Sequence, residues 1–326
     1  MTDERTRREF LKTAAATSSA AMLGSIASPM LGAEPKPTVK PTDEMPKRIL
    51  GKTGMKVSVL SFGGGSQFKK NKDGDWEPLL ERAIELGINY FDTHQNYGTE
   101  QRFGEILPKY RKKIYIVTKF DPRDEDGAMK SFEGSLKRLK VDYVDALLVH
   151  NIKNSDNIAT FAKGTWKRMQ KLKSEGTAKF IGFSSMSSAT RSKEFIEQLE
   201  PDIALVAMNA TRYAGFAKLT LAPAVKRNVG VLAMKTVRGL VGRKGVKAAD
   251  LLQYVLDKQG VASALVGHYG MDVLEENVKI VKQLAKRKKM TPAAKKKLET
   301  ACAPYANPHT LTWARRDYRD DGISYA

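Results

Sequence analysis

Residues 114–150 read IYIVTKFDPRDEDGAMKSFEGSLKRLKVDYVDALLVH, and they contain the unit that decides the fold. Two apolar runs rich in β-branched residues, at 114–119 and 143–150, flank a longer polar segment. Short apolar runs of this kind are typical of buried parallel strands, and a longer segment between them is typical of the helix that connects them. The stretch therefore predicts a strand–helix–strand unit.

The same alternation continues from Arg48 to the region of residue 267. The predicted strands are residues 57–63, 89–92, 114–119, 143–150, 180–184, 203–209, 231–235 and 262–267. Apolar side chains with helical spacing fall between them, as at 77–86 and 249–256. Eight such units predict an α/β fold with a closed (β/α)8 barrel. A glycine-containing turn at 48–57 predicts a β-hairpin that would plug the N-terminal end of the barrel.

Length and composition agree with one large barrel. The chain has 326 residues, of which 41% are hydrophobic and 28% charged, and these values exclude a coiled coil or a fully disordered chain. We predict that the barrel covers 47–290 and that a helical C-terminal extension covers 291–326. The single cysteine, Cys302, excludes an intramolecular disulfide and an all-cysteine cluster, and we predict no metal site.

The N-terminus resembles a bacterial twin-arginine export signal. Residues 6–12 read TRREFLK, and residues 13–33 are uncharged and rich in Ala and Ser. An amphipathic helix is the alternative, but 13–33 has no polar face. We predict a signal peptide at 1–33, a linker at 34–46, and export to the periplasm by the twin-arginine translocase, with the signal either cleaved or retained as an anchor.

The chain is strongly basic, with 56 Lys and Arg against 36 Asp and Glu and a net charge of +20 at pH 7. Nine Lys or Arg and no acid fall within 279–297. This segment is either a solvated helix face with a basic linker or a contact for a polyanion or membrane surface. No aromatic residue lies between these cations to stack on bases, so nucleic acid is not an expected partner.

Four ionisable residues fall where the predicted strands end. Asp92 ends the second strand, Tyr97 lies in the loop after it, Lys119 ends the third strand and His150 ends the fourth. Reactive groups of a parallel barrel gather at this end. Each residue alone has a structural explanation, such as a helix cap or a buried histidine. Together they predict a general acid, because a lysine stabilises an ionised phenol and an aspartate holds that lysine in place.

The motifs around these residues resemble those of the aldo/keto reductase family. Residues 91–100, FDTHQNYGTE, resemble its Asp-Thr…Tyr-Gly-x-Glu signature, 117–119 its lysine strand and 144–150 its histidine strand. Residues 274–277, LEEN, resemble its Glu-Asn pair near the adenosine end of the cofactor.

The resemblance implies a TIM barrel that transfers hydride between NADP(H) or NAD(H) and a small carbonyl or alcohol substrate. It implies that Tyr97 protonates the carbonyl oxygen, that Lys119 and Asp92 tune this phenol, and that His150 orients the substrate oxygen. The cofactor-binding residues that we predict are Gly64, Ser184, Ser185, Asn209, Met234, Lys235, Arg238, Gly267, His268, Glu276 and Asn277.

Several cofactor positions differ from the family pattern. Met234 stands where an aromatic residue usually stacks on the nicotinamide, and Leu205 stands where a glutamine usually holds its carboxamide. Gly267 and Val273 replace the basic residues that usually bind the 2′-phosphate, so the preference between NADP and NAD stays open. Arg238 and Arg243, which follow the seventh predicted strand, are the alternative sources of positive charge for a 2′-phosphate.

Two other functions stay open, the first because of these differences and the second because of the basic segment. One is a barrel that keeps the four residues but binds dinucleotide weakly and acts as a ligand-binding protein. The other is a surface-binding protein that acts through the basic segment 279–297.

Overall fold

The computed structural model describes residues 44–315 and Tyr318. The predicted signal peptide and most of the predicted linker lie outside the described residues. A hairpin is formed by β1 (Lys47–Ile49) and β2 (Lys56–Ser58). The strands of the barrel are β3 (Leu60–Gly63), β4 (Tyr90–Asp92), β5 (Tyr115–Phe120), β6 (Val144–Val149), β7 (Ala178–Ser185), β8 (Ile203–Ala207), β9 (Gly230–Met234) and β10 (Val261–Val266).

The eight barrel strands are all parallel, and each pairs with its neighbours in chain order until β10 closes onto β3. The predicted barrel is therefore confirmed. The first predicted strand, 57–63, is wrong in one respect, because it divides at Val59 into β2 and β3. The Val59 N–H donates to the carbonyl of Pro46, whereas its own carbonyl accepts from Ala264 in β10. The chain passes from hairpin to barrel at this residue.

Helices lie between the strands and cover the barrel. They are α1 (Ser66–Lys69), α2 (Trp76–Glu85), α3 (Glu100–Ile106), α4 (Glu125–Leu139), α5 (Ile158–Phe161), α6 (Lys167–Ser174), α7 (Ala189–Leu199), α8 (Phe216–Lys226), α9 (Ala248–Leu256), α10 (Met271–Leu284) and α11 (Pro292–Cys302). The predicted helices at 77–86 and 249–256 are confirmed to within one residue as α2 and α9, and both bury their apolar faces. Among the described residues, no helix is long and apolar enough to cross a membrane.

The hairpin fills one end of the barrel, as predicted. Leu50, Met55 and Val57 are buried in the same cluster as interior side chains such as Tyr90 and Ile203, which begin β4 and β8. The hairpin thus covers the end where the strands begin. The opposite end, where the strands finish, carries the candidate site.

Candidate active site

A buried ion pair lies at the open end of the barrel. Lys119 Nζ donates to Asp92 Oδ1 at 2.5 Å and to the backbone carbonyl of Thr93 at 2.8 Å. Asp92 pairs with Val117 in the parallel register of β4 and β5, so Lys119, two residues further on, projects from the same face. Both charged side chains are at most 2% exposed. This burial holds the ammonium group in one position.

Tyr97 lies directly above this ion pair. The Tyr97 ring centroid is 5.1 Å from Lys119 Nζ and 6.0 Å from the His150 ring centroid. Tyr97 ends a short 3-10 helix, Gln95–Tyr97, which Gly98 terminates with a left-handed φ of 69°. The structure therefore brings together all four residues that the sequence predicts to be catalytic.

Buried hydrogen bonds fix the loop that carries Tyr97. The carboxylate of Glu100 accepts from Thr118 Oγ1 at 2.5 Å and from Arg138 Nε at 2.7 Å, which ties the loop to β5 and α4. Thr99 Oγ1 donates to the backbone carbonyl of Gly64 at 2.6 Å. Thr99 and Glu100 thus hold the loop, whereas Asp92 and Tyr97 face the site.

A cleft of about 490 Å³ opens on one side of Tyr97. Six predicted cofactor-binding residues line it, namely Met234, Lys235, Arg238, Gly267, Glu276 and Asn277. Arg238 Nη1 donates to Ser66 Oγ and to the Tyr318 hydroxyl, both at 2.8 Å. We call this space the first cleft.

The other five predicted cofactor-binding residues are not among those that line the first cleft. A Cβ on Gly64 would lie 2.8 Å from the Phe103 ring, so this glycine serves close packing. His268 is fully buried against Phe62, with ring centroids 5.1 Å apart. Neither ring nitrogen of His268 has a hydrogen-bond partner among the described residues, and burial lowers its pKa to about 3.

Ser184, Ser185 and Asn209 are engaged in backbone contacts. Ser184 Oγ accepts the N–H of Asn151, and Ser185 Oγ donates to the carbonyl of Ile152. The Asn209 amide donates to the backbone carbonyl that follows β9. In this structure these side chains join loops at the barrel mouth.

A second cleft of about 720 Å³ lies on the other side of Tyr97, and it contains residues that the sequence analysis missed. His94 and Asp121 line it together with His150. His94 occupies the position after Asp92-Thr93 in the 91–100 motif, and Asp121 lies two residues after Lys119. Their closeness in sequence to motif residues could have marked His94 and Asp121 as site residues. The contact between the two side chains, however, depends on loop geometry.

The chain matches the sequence profile of the aldo/keto reductase family over residues 59–294. It belongs to the aldo/keto reductase family. It is 30% identical to L-galactose dehydrogenase of Arabidopsis thaliana over 283 residues, which are 73% of this chain and 88% of the relative. It is 28% identical to the uncharacterized oxidoreductase YqkF of Bacillus subtilis over 306 residues, covering 78% and 96% of the two chains.

A solved structure of PA4992 from Pseudomonas aeruginosa, assigned as an aldo-keto reductase, also superposes on this chain. The TM-score is 0.65 at 27% identity, covering 74% of this chain and 97% of the other. The chain is thus an oxidoreductase of the aldo/keto reductase family, whose members use nicotinamide cofactors.

The first cleft fits such a cofactor in size and charge. Its volume is within the range of small-molecule sites. Lys235 and Arg238 line it as cations, and residues from the first turns of α10 line the same space, where a helix N-terminus favours anions. Glu276 and Asn277 lie on this helix and add polar groups to the wall of the cleft.

Proposed function

We propose that this aldo/keto reductase family member transfers hydride between a nicotinamide dinucleotide and a small carbonyl or alcohol substrate, with Tyr97 as the general acid. The position of Tyr97 carries the proposal, because its side chain lines both clefts. A dinucleotide in the first cleft and a substrate in the second would meet at this phenol. The bound nicotinamide supplies or accepts the hydride.

The protein's own residues manage the proton. Lys119 lies close enough to stabilise the ionised phenol after it has given its proton to the carbonyl oxygen. Asp92 keeps the lysine in place, and His150, on the wall of the second cleft, orients the substrate oxygen. L-Galactose dehydrogenase among the relatives supports a small polar substrate.

The test is turnover with both dinucleotides. Calorimetric titration of NADPH and NADH measures binding, and absorbance at the reduced-nicotinamide band measures turnover with a panel of small aldehydes. Binding of at least one dinucleotide together with turnover supports the proposal. Tight dinucleotide binding without turnover of any substrate, or no binding of either, contradicts it.

For cofactor choice, we propose that the preference for NADPH over NADH is narrow or reversed. Gly267 and Val273 line the first cleft without a cation, whereas Arg238 supplies one there. Arg243 instead stacks on Tyr305, with its Cζ atom 5.1 Å from the ring centroid. A charge-assisted phosphate contact contributes about 1.5–3 kcal/mol. A preference for NADPH of several hundredfold in the titrations would contradict this proposal.

We also propose that the chain is exported by the twin-arginine route and keeps its dinucleotide through repeated cycles, because free dinucleotide is not supplied outside the cytoplasm. The loop at 237–246 supports retention, since Val237, Gly239 and Val241 line the first cleft. Leu240 and Val246 anchor this loop in the core. Alternating reduction and oxidation would then occur on one bound molecule.

Isolation of the exported form tests this. The protein is denatured, and the supernatant is assayed for dinucleotide. About one dinucleotide per chain supports retention, whereas recovery far below one with rapid exchange of labelled cofactor contradicts it. Loss of export when Arg7 and Arg8 are both changed to Lys checks the route, and unchanged export contradicts it.

A further inference from the structure

A groove between the outer helices is separate from the two clefts at the barrel mouth. It has a volume of about 940 Å³, and it is lined by α8, by the segment between β8 and α8, by the end of α9 and by α11. Among the described residues, none that lines this groove also lines the first or the second cleft. We call it the outer groove. Its volume lies in the range of sites for small molecules, and the proposed hydride transfer assigns it no role.

One wall of the outer groove is apolar. Ala217, Leu221 and Val225 line it at intervals of four residues along α8, so they lie on one face of this helix. The stripe that they form extends over about 12 Å of helix. Val225 is 41% exposed although its side chain is large and apolar, and the Tyr254 ring of α9 also lines the groove. A ligand that covered this stripe would remove apolar surface from water, which favours binding.

The outer groove is also strongly cationic. Five Lys and Arg residues line it, against one Asp and one Glu. The five are Arg212, Lys218, Lys226, Lys258 and Lys295. Lys218 follows Ala217 and Lys226 follows Val225 in the sequence, so a lysine stands beside each end of the apolar stripe. The groove therefore combines an apolar surface with an excess of positive charge.

The two acids of the groove are already engaged within the protein. Asp257 Oδ2 accepts the backbone N–H of Met290 at 2.6 Å. The carboxylate of Glu299 accepts from the Tyr254 hydroxyl at 2.6 Å and from Arg212 Nη1 at 3.4 Å. In the part of the chain that the structure describes, the four lysine ammonium groups of the groove form no salt bridge and no hydrogen bond. These cations are thus available to an anion.

Lys258 shows that the cations of the groove act on one another. Its side chain is half-buried, and its Nζ lies 4.0 Å from the centroid of the Tyr254 ring. Burial is the main cause that lowers the pKa of Lys258 from its ordinary value of 10.5, and Glu299 opposes this shift. The positive charges of Lys295 and Arg212 lower it further. An anion bound among these cations would relieve their repulsion.

The two surfaces of the groove together define the chemistry of its ligand. Inorganic phosphate would pair with the cations and leave the apolar stripe exposed. A neutral apolar molecule would cover the stripe and leave the cations without a counter-charge. A molecule with an apolar body and an anionic group satisfies both surfaces.

We propose that the outer groove is a binding site for a small organic anion, whose aliphatic or aromatic body lies on the α8 stripe and whose anionic group is bound by Lys258 and Lys295. The site lies apart from Tyr97 and both clefts, so the proposal does not depend on the proposed hydride transfer. The ligand binds without a covalent step.

The first test compares one probe with its two parts. Octanoate carries an eight-carbon body and a carboxylate, octan-1-ol keeps the body without the charge, and inorganic phosphate keeps an anion without the body. In calorimetric titrations at constant ionic strength, we expect octanoate to bind at least about tenfold more tightly than either. Equal affinity for octanoate and octanol would contradict a role of the cations, and equal affinity for octanoate and phosphate would contradict a role of the stripe.

Methyl NMR locates the probe on the wild-type protein. With ¹³C-labelled Leu and Val methyl groups, we expect octanoate to shift the signals of Leu221 and Val225. Leu205 and Val266 line the first cleft, which also contains cations, and they report binding there. Octanoate shifts confined to these two residues, or no shifts at all, would overturn the proposal whether or not any variant folds.

A charge-removing variant and its matched control test the cation. Lys258→Met keeps an unbranched apolar side chain over Tyr254 and removes the ammonium group, so the octanoate affinity read at Leu221 and Val225 should fall by about tenfold to a hundredfold, the contribution of one charge-assisted contact. Lys279→Met removes the same charge from an exposed position of α10 that does not line the groove, and should bind like the wild type. Unchanged affinity in Lys258→Met, or the same loss in both variants, would refute the assigned cation.

Discussion

The two clefts on either side of Tyr97 are built in different ways. The first cleft is lined largely by small or apolar residues, many of them at the ends of β9 and β10, with Lys235 and Arg238 as its cations. The second cleft is built from polar side chains that contact one another across loops, with Asp121 at the centre. A lining of small and apolar residues at strand ends follows from the barrel itself, whereas a network of polar side chains depends on the particular residues of each chain.

The largest expected effect is at the wall that the clefts share. Tyr97→Phe removes the transferable proton and little volume, so it should lower kcat/KM for carbonyl reduction by about 10²- to 10⁴-fold. Dinucleotide affinity should stay nearly unchanged, as measured by calorimetry. Full turnover in this variant would show that the phenol is not the acid.

Removal of the buried cation under both clefts should affect stability as well as rate. Lys119→Met leaves the Asp92 carboxylate buried without this cation, and breaking a buried pair costs about 3–5 kcal/mol. Urea unfolding measures the loss. In a variant that stays folded, the limb of the pH–rate profile that reports the phenol should move to higher pH.

The double variant Lys119→Met, Asp92→Asn is the control for this prediction. It removes both charges, so it should recover part of the stability without recovering the activity. Equal stability of the single and double variants would mean that the unpaired charge of Asp92 is not what destabilises Lys119→Met.

A smaller effect is expected on dinucleotide affinity, from a substitution in the first cleft. Arg238→Ala should weaken dinucleotide binding by about 1.5–3 kcal/mol, since one charge-assisted contact to phosphate is lost. Tyr318→Phe keeps both cations of the first cleft and removes only the hydroxyl that accepts from Arg238 and Lys235, so its affinity should match the wild type. Equal affinity of Arg238→Ala and wild type would place the phosphates elsewhere.

The smallest effect concerns pH. The pKa of His268 is lowered by burial to about 3, below the ordinary value of 6.5. As pH falls below 6.5, this histidine takes up a proton in the unfolded chain but not in the folded protein. The free energy of unfolding therefore decreases below pH 6.5, by about 1.4 kcal/mol per pH unit for this one group. His94, with a pKa of about 4, acts in the same direction.

His268→Leu removes one of these two sites and should make the decline in unfolding free energy between pH 6.5 and 4.5 shallower, as measured by urea titration at several pH values. His309→Gln changes an exposed histidine and serves as the control. Identical slopes for His268→Leu and wild type would mean that His268 is protonated in the folded protein.

The sequence alone determined the barrel, the hairpin and the four residues at its mouth. Apolar runs specify buried strands wherever they occur, and strands in a parallel barrel finish at one end, so Asp92, Lys119 and His150 had to lie near one another. Tyr97 follows because it lies only five residues after Asp92. These features depend on order and spacing along the chain, which the sequence displays directly.

Other features were decided by the tertiary structure. The division of 57–63 at Val59 depends on which partner each carbonyl finds, and the backbone contacts of Ser184, Ser185 and Asn209 depend on how the loops fold over the mouth. The contact between His94, Asp121 and His150 joins three different loops and strand ends. Such contacts are set by distances of a few ångströms between segments remote in sequence, and spacing along the chain does not specify them.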